Sequence, residues 1–285
     1  MKYYKLVFLI CLFSACSSTK LAIEKTQQKT VEIIKNQKDS IVQETTQIKQ
    51  EGTLDNRPIE YNQTLTKRVI PIHQLWNELL QEHVSEHGNV NYKTFKTEHK
   101  KLLDYIYFLS LMHKNDTFES LPKDEKLAFW INAYNTMTID LILRHYPVKS
   151  IKDIKNPWEQ WYWKLGDKWY NLNEIEHNIL RKMDEPRIHF AIVCASVSCP
   201  KLQNKAFTSE NLESQLTNAT KEFLNDSNRN SISENVLELS KIFQWFAKDF
   251  KQNNSVIDFI NQYSDIKISE NAKIKFKDYN WALNE

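Results

Sequence analysis

The sequence predicts an α+β fold in a single domain without internal repeats, and three observations carry that reading. A long segment at residues 124–145 is nearly apolar all round, as expected of a central, buried helix. The segments that read as strands are few, short and non-repeating among many helices. Hydrophobic residues make up 41% of the 285-residue chain, charged residues 26% and aromatics 12%, enough to bury a sizeable core.

The elements follow in order. Leu75, Trp76, Leu79 and Leu80 fall at helical spacing within His73 to Glu86. Gly88-Asn89 is a turn, Val90 to Tyr92 a short extended piece, and Leu102 to Met112 another helix. Ser120 and Pro122 open the central helix, since Ser caps and Pro is tolerated in a first turn. Pro147 stops it. Trp161 to Leu172 reads as a hairpin turning at Gly166-Asp167. Asn173 to Lys182 is a short helix, with Asn173 and Glu176 at capping-box spacing. The run Phe190-Ala191-Ile192-Val193 within Arg187 to Val197 predicts a strand buried on both faces. Leu212, Leu216, Ala219 and Phe223 mark a helix capped by Thr208 or Ser209. Ile242, Phe243, Phe246 and Phe250 mark another, and Ile274 and Phe276 a late strand.

Composition excludes several function classes. The chain has three isolated glycines, Gly52, Gly88 and Gly166. They cannot build a phosphate-cradling loop, a dinucleotide-binding turn or a glycine-flanked nucleophile elbow. The net charge is +2, so no basic excess drives nucleic-acid binding.

The first residues read as an address. Lys2 and Lys5 precede an apolar run from Leu6 to Phe13, which ends in Ser14-Ala15-Cys16. The run is shorter than the ~20 residues that span a bilayer, so residues 1–15 are expected to be a signal peptide. The junction resembles a bacterial lipoprotein signal, which implies lipidation of Cys16. Residues 16–67 are polar, with no aromatic from Ser17 to Glu60, and read as a flexible tether. The globular domain is expected at 68–285, held in the cell envelope by a lipid anchor on Cys16.

The residues that could carry chemistry converge on one stretch. Cys194 and Cys199 are the two cysteines of the globular domain, and Cys194 sits where the expected strand gives way to a Ser-rich loop. A reactive thiol needs a neighbouring base or cation and some access. His177 and His189 are the nearest histidines in sequence, although on an ideal strand His189 and Cys194 face opposite sides. The alternatives are a packed thiol, a small disulfide with Cys199, or a zinc site formed with both histidines. Glu176 is either a capping residue or an acid/base carboxylate. Asn132 and Asn135 interrupt the apolar helix on one face, either as a polar clamp to a neighbouring loop or as carbonyl donors. Trp158, Trp161, Trp163 and Trp169 gather around the hairpin, as core, interface or a platform for a glycan or peptide.

Several of these stretches together are similar to the domain of unknown function 547 family. They are Phe129-Trp130-Ile131-Asn132-Ala133-Tyr134-Asn135, Tyr146-Pro147-Val148-Lys149-Ser150-Ile151, Ile175 to Arg181, and Pro186 to Ala191 continuing through Cys194-Ala195-Ser196 to Ser198-Cys199-Pro200. The resemblance is dense over residues 120–225 and reaches loosely to Asp278-Tyr279-Asn280-Trp281. It implies a domain without an assigned activity, with a distant likeness to cysteine-peptidase or transglutaminase-like folds. Relatives that keep the first cysteine but carry Ser at the second make Cys194 the expected functional thiol. The resulting expectation is a thiol-dependent hydrolase or acyl transferase without a cofactor: Cys194 as nucleophile, His177 as base with His189 its substitute, Glu176 as orienting or acid/base group, and Asn132 as donor. The competing expectations are a non-catalytic envelope module that binds a peptide or glycan, and a redox or metal site on the two cysteines.

Overall fold

Three helices lead into the central one: α1 (Gln74–His83), α2 (Tyr92–Thr97) and α3 (His99–Lys114), followed by α4 (Lys123–His145). They belong to a computed structural model that describes residues 72–251 and 254–285. The expected signal peptide at 1–15, the lipid-bearing Cys16 and the tether at 16–67 lie outside the described residues. Every residue of α4 from Leu127 to Leu143 is buried, as an all-round apolar pattern requires. Its start differs from expectation. Ser120 ends a 3₁₀ turn and donates to Thr117 O, while Pro122 occupies the N-cap position and caps with no side chain.

After α4 come the two strands of the hairpin, β1 (Trp163–Leu165) and β2 (Lys168–Tyr170), paired antiparallel. Gly166 makes the turn at φ +57°, where a side chain is strained. A polar network ties the hairpin to the core. Asp140, buried within α4, accepts hydrogen bonds from Trp163 Nε1 at 2.6 Å and Arg144 Nε at 2.7 Å, and meets His99 Nε2 at 2.5 Å.

The chain then winds through a π-helix (Glu174–Ile179) and 3₁₀ turns at Leu180–Met183 and Pro186–Phe190. The two-sided strand expected over Arg187 to Val197 does not form. Burial alone cannot distinguish a strand from another buried segment, and among the described residues no strand pairs with Phe190 to Val193. The side chain of Asn135 takes that place: its Nδ2 donates to Ala191 O at 2.9 Å and its Oδ1 accepts from Val193 N at 3.0 Å. Asn132 clamps the next passage in the same way, giving to Phe207 O at 2.8 Å and taking from Phe207 N at 3.0 Å. Both asparagines are polar clamps, and Asn132 is wholly buried in its clamp.

The remaining chain supplies α5 (Leu212–Asn225), strands β3 (Ser231–Ile232) and β4 (Val236–Leu239), short helices α6 (Ile242–Trp245), α7 (Ala247–Phe250) and α8 (Val256–Asn261), and β5 (Lys273–Phe276). The single helix expected over Ile242 to Phe250 is broken in two at Phe246. Asn211, not Thr208 or Ser209, is the N-cap residue of α5, and no side chain caps it. β4 is central, antiparallel to β3 and parallel to β5. The architecture is therefore α+β: a helical body around α4 and a smaller aromatic cluster containing Phe190, Phe223, Phe243, Phe250 and Phe259. Among the described residues no helix is long and apolar enough to cross a membrane.

Residues 279–285 are extended across the molecule. Val197 N donates to Ala282 O at 2.8 Å and Ser198 N to Asn280 O at 3.2 Å. Leu283 N reaches Lys149 O and Asn284 N reaches Ala195 O. Tyr92 OH donates to Asn284 Oδ1 at 2.8 Å. This strap holds the cysteine loop against the helical body.

Candidate active site

The strap and α4 flank a cleft of about 230 Å³ whose lining includes Tyr134, Glu176, His177, His189, Cys194, Cys199 and Tyr279. Four of the expected site residues, Cys194, His177, Glu176 and His189, are thus brought together, and Asn132 is not. Trp158, Trp245, Phe246 and Trp281 form the aromatic wall. Of the tryptophans expected around the hairpin, Trp163 is core, Trp161 and Trp169 are exposed, and Trp158 alone reaches the cleft.

Cys194 is partly buried, and Cys199 lies buried beside it. Both are free thiols, with Sγ atoms 3.0 Å apart. Cys194 N donates to Cys199 Sγ at 2.8 Å. Ser196 Oγ lies 3.1 Å and Tyr279 OH 3.2 Å from Cys194 Sγ. The backbone follows from Ala195, which is fully buried and adopts φ +57°. A non-glycine residue rarely takes that left-handed conformation, and its small side chain limits the strain. The turn it makes lets both the side chain and the backbone N–H of Ser196 serve Cys194 Sγ. Arg229 secures the loop from outside, donating to Cys199 O at 2.8 Å and Val197 O at 2.7 Å.

These donors divide the two thiols. The hydrogen bond from Cys199 is the largest influence on Cys194. It outweighs burial and, with Ser196 and Tyr279, holds the Cys194 thiol at about 7. Burial pushes Cys199 well above the usual thiol range, and its neighbour's hydrogen bond and charge push it further. Tyr279 is raised well above the tyrosine range by burial and then by the two thiols, so it remains a donor. Nucleophilicity belongs to the thiolate, and of the two thiols Cys194 is the one substantially ionised at neutral pH.

Glu176 is the second group held near neutrality. Burial raises it to about 7, against the hydrogen bond from Tyr134 OH to its Oε2 at 2.9 Å. It is not a capping-box residue. Asn171 Oδ1 accepts from Glu174 N at 2.7 Å, while Asn173 caps nothing. The π-helix makes a wider turn than an α-helix, and both Glu176 and His177 line the cleft.

Neither histidine is hydrogen-bonded to Cys194, whose Sγ partners are Cys199, Ser196 and Tyr279. His177 Nδ1 meets Arg181 Nη1 at 3.1 Å. His189 Nε2 meets Asp249 Oδ2 at 2.8 Å, and its ring stacks on Phe246 at 4.0 Å. Arg181 grips the same carboxylate at 2.6 and 2.8 Å. Burial works against the Asp249 charge, but the bonds from His189 and Arg181 hold it well below the usual carboxylate range. Burial lowers His177 and His189, so both are neutral near pH 7. The zinc set of two cysteines and two histidines is not assembled. Among the described residues the only group with convergent ligand atoms is Glu82, His83 and Glu98. There His83 already meets Thr94 Oγ1 and Glu98 carries Lys101.

Sequence reasoning missed Asp249, Arg181, Tyr134, Ser196 and Tyr279 as site residues. Tyr134, Arg181, Ser196 and Tyr279 lie inside the motifs that carry the family resemblance, which was the available signal. Asp249 had none.

Residues 118–224 match the family model described as Protein of unknown function, DUF547, in agreement with the resemblance read from the motifs. The matched stretch contains α4, the π-helix and the cysteine loop, and stops short of Asp249, Tyr279 and Trp281. No curated protein and no solved structure matches the chain.

Proposed function

We propose that the cleft is a thiol-nucleophile active site for hydrolysis or transfer of an acyl group. The observation that carries this reading is the setting of Cys194 Sγ, open to a cleft and surrounded by hydrogen-bond donors, with its thiol held at about 7. In the proposed reaction the Cys194 thiolate attacks a carbonyl carbon, and the leaving group departs with a proton from Glu176. Water or an acceptor, deprotonated by the same carboxylate, then attacks the thioester and frees the thiol. A group poised near the working pH serves well in both directions, and Glu176 at about 7 is such a group. The expected roles of His177 and His189 as base pass to Glu176. The Arg181–Asp249 pair holds the histidines as part of the cleft wall. A distant likeness to cysteine-peptidase or transglutaminase-like folds belongs to the same reading.

The test is capture of the acyl-enzyme. A small activated ester should leave an acyl group on Cys194 within the tryptic peptide spanning residues 188–201, and Glu176→Gln should slow its release. Acylation of Cys199 in equal amount, or none on either thiol, would remove the proposal.

The envelope placement is part of the proposal. Lipidated Cys16 would anchor the chain and residues 17–67 would hold the domain away from the membrane. Cys16→Ser should then shift the protein from the membrane fraction to the soluble fraction. Unchanged fractionation would dismiss the anchor.

A further inference from the structure

We infer that Cys194 and Cys199 also form a two-thiol redox centre, which reduces a small hydroperoxide and is left as a disulfide within the loop. The inference rests on four observations beyond the acyl-transfer reading. The two Sγ atoms are already in contact at 3.0 Å, so closing the bond needs little movement of the chain. Both thiols line the cleft, Cys194 partly exposed and Cys199 buried, which makes Cys194 the attacking and Cys199 the resolving thiol. The loop is held in this shape from both sides, by the strap through Val197 and Ser198 and by Arg229 through two carbonyls. Two hydroxyls, of Ser196 and Tyr279, flank the attacking sulfur, where they can hydrogen-bond the oxygens of a peroxide.

The small cleft selects the oxidant. A volume of about 230 Å³ with a partly buried sulfur suits a small molecule better than a disulfide on the surface of a folded protein. The Cys194 thiolate attacks one peroxide oxygen and the O–O bond breaks. The other oxygen leaves as alcohol or water after taking a proton from solvent or from Tyr279, which is reprotonated. Cys194 is then a sulfenic acid. Cys199 sulfur attacks Cys194 sulfur, the S–O bond breaks, and the hydroxyl leaves as water with the Cys199 proton. Two thiols and one hydroperoxide thus give one disulfide, one alcohol and one water. Two equivalents of a small thiol restore the dithiol. The low Cys194 thiol and the high Cys199 thiol fit this order of attack.

The experiment treats the reduced full-length protein with one equivalent of hydrogen peroxide at neutral pH and maps the peptide spanning residues 188–201, which holds both cysteines. The expected product is that peptide lighter by two hydrogens, refractory to alkylation and restored by dithiothreitol. Cys199→Ser should instead stop at a Cys194 sulfenic acid that a dimedone-type reagent traps. Survival of both free thiols, or further oxidation of Cys194 while Cys199 remains alkylatable, would overturn the inference. Because the readout is peptide mass and not turnover, its failure is separable from failure of the acyl-transfer reading.

Discussion

Removing one hydroxyl, in Tyr279→Phe, tests the basis of Cys194 reactivity. The Tyr279 ring packs against Trp245 at 4.8 Å and Trp281 at 4.6 Å, and phenylalanine retains both contacts. What is lost is the hydroxyl 3.2 Å from Cys194 Sγ. A hydrogen bond to a charged group contributes about 1.5 kcal/mol at the low end, and about 1.4 kcal/mol corresponds to one pKa unit. The Cys194 thiol should therefore rise from about 7 to about 8. At neutral pH the thiolate fraction falls from about a half to about a tenth. Each thiolate becomes more reactive, because nucleophilicity rises with basicity, by roughly threefold per unit. The net alkylation rate should be about half that of the wild type at neutral pH and roughly threefold higher on the alkaline plateau. The assay is iodoacetamide alkylation of Cys194, followed by peptide mass against pH. Crossing profiles are the expected result. An unchanged midpoint, or a uniform change in rate at every pH, would refute the hydrogen-bond argument.

Two further outcomes follow from the same geometry. Glu176→Gln retains an acceptor for Tyr134 but removes the titration. A carboxyl raised from 4.5 to about 7 keeps its proton longer in the folded state than in the unfolded state, so wild-type stability falls as pH rises across that interval. The variant should equal the wild type below this interval and exceed it above pH 7 by about 3 kcal/mol, read from urea unfolding at both ends. A difference that does not depend on pH would contradict this. Asn135→Ala strands the carbonyl of Ala191 and the N–H of Val193. Each unsatisfied buried group costs about 1–3 kcal/mol, so a loss of roughly 4 kcal/mol is expected in urea unfolding. A loss below about 1 kcal/mol would mean that the clamp is dispensable.

Patterns that persist over many residues were legible in the sequence. The buried α4, the Gly166 hairpin and the late strand at Ile274 and Phe276 all appear in the fold. The run Phe190 to Val193 misled because apolarity reports burial and not backbone geometry. Its partner is an amide side chain from α4, a pairing that no periodicity encodes. Site residues were legible where chemistry and locality coincide, as at Cys194, His177, Glu176 and His189. The same proximity in sequence pointed to histidine as the partner of the thiol, whereas its partners are Cys199, Ser196 and the distant Tyr279. Asp249 and Tyr279 reach the site only through tertiary folding. No glycine lies in the cysteine loop, and Ala195 takes up the left-handed conformation there.

The strap also sets a timetable. Tyr279 stands 85 positions after Cys194, and Asn284 stands 192 positions after Tyr92. Contacts of such separation carry a large loop-closure penalty and form late in folding. A ribosome therefore delivers the cysteine loop well before the residues that complete it. Throughout that interval Cys194 lacks its tyrosine donor. The full set of donors around Cys194 is complete only when residues 279–284 have docked, so the last contribution to its acidity waits for tertiary folding.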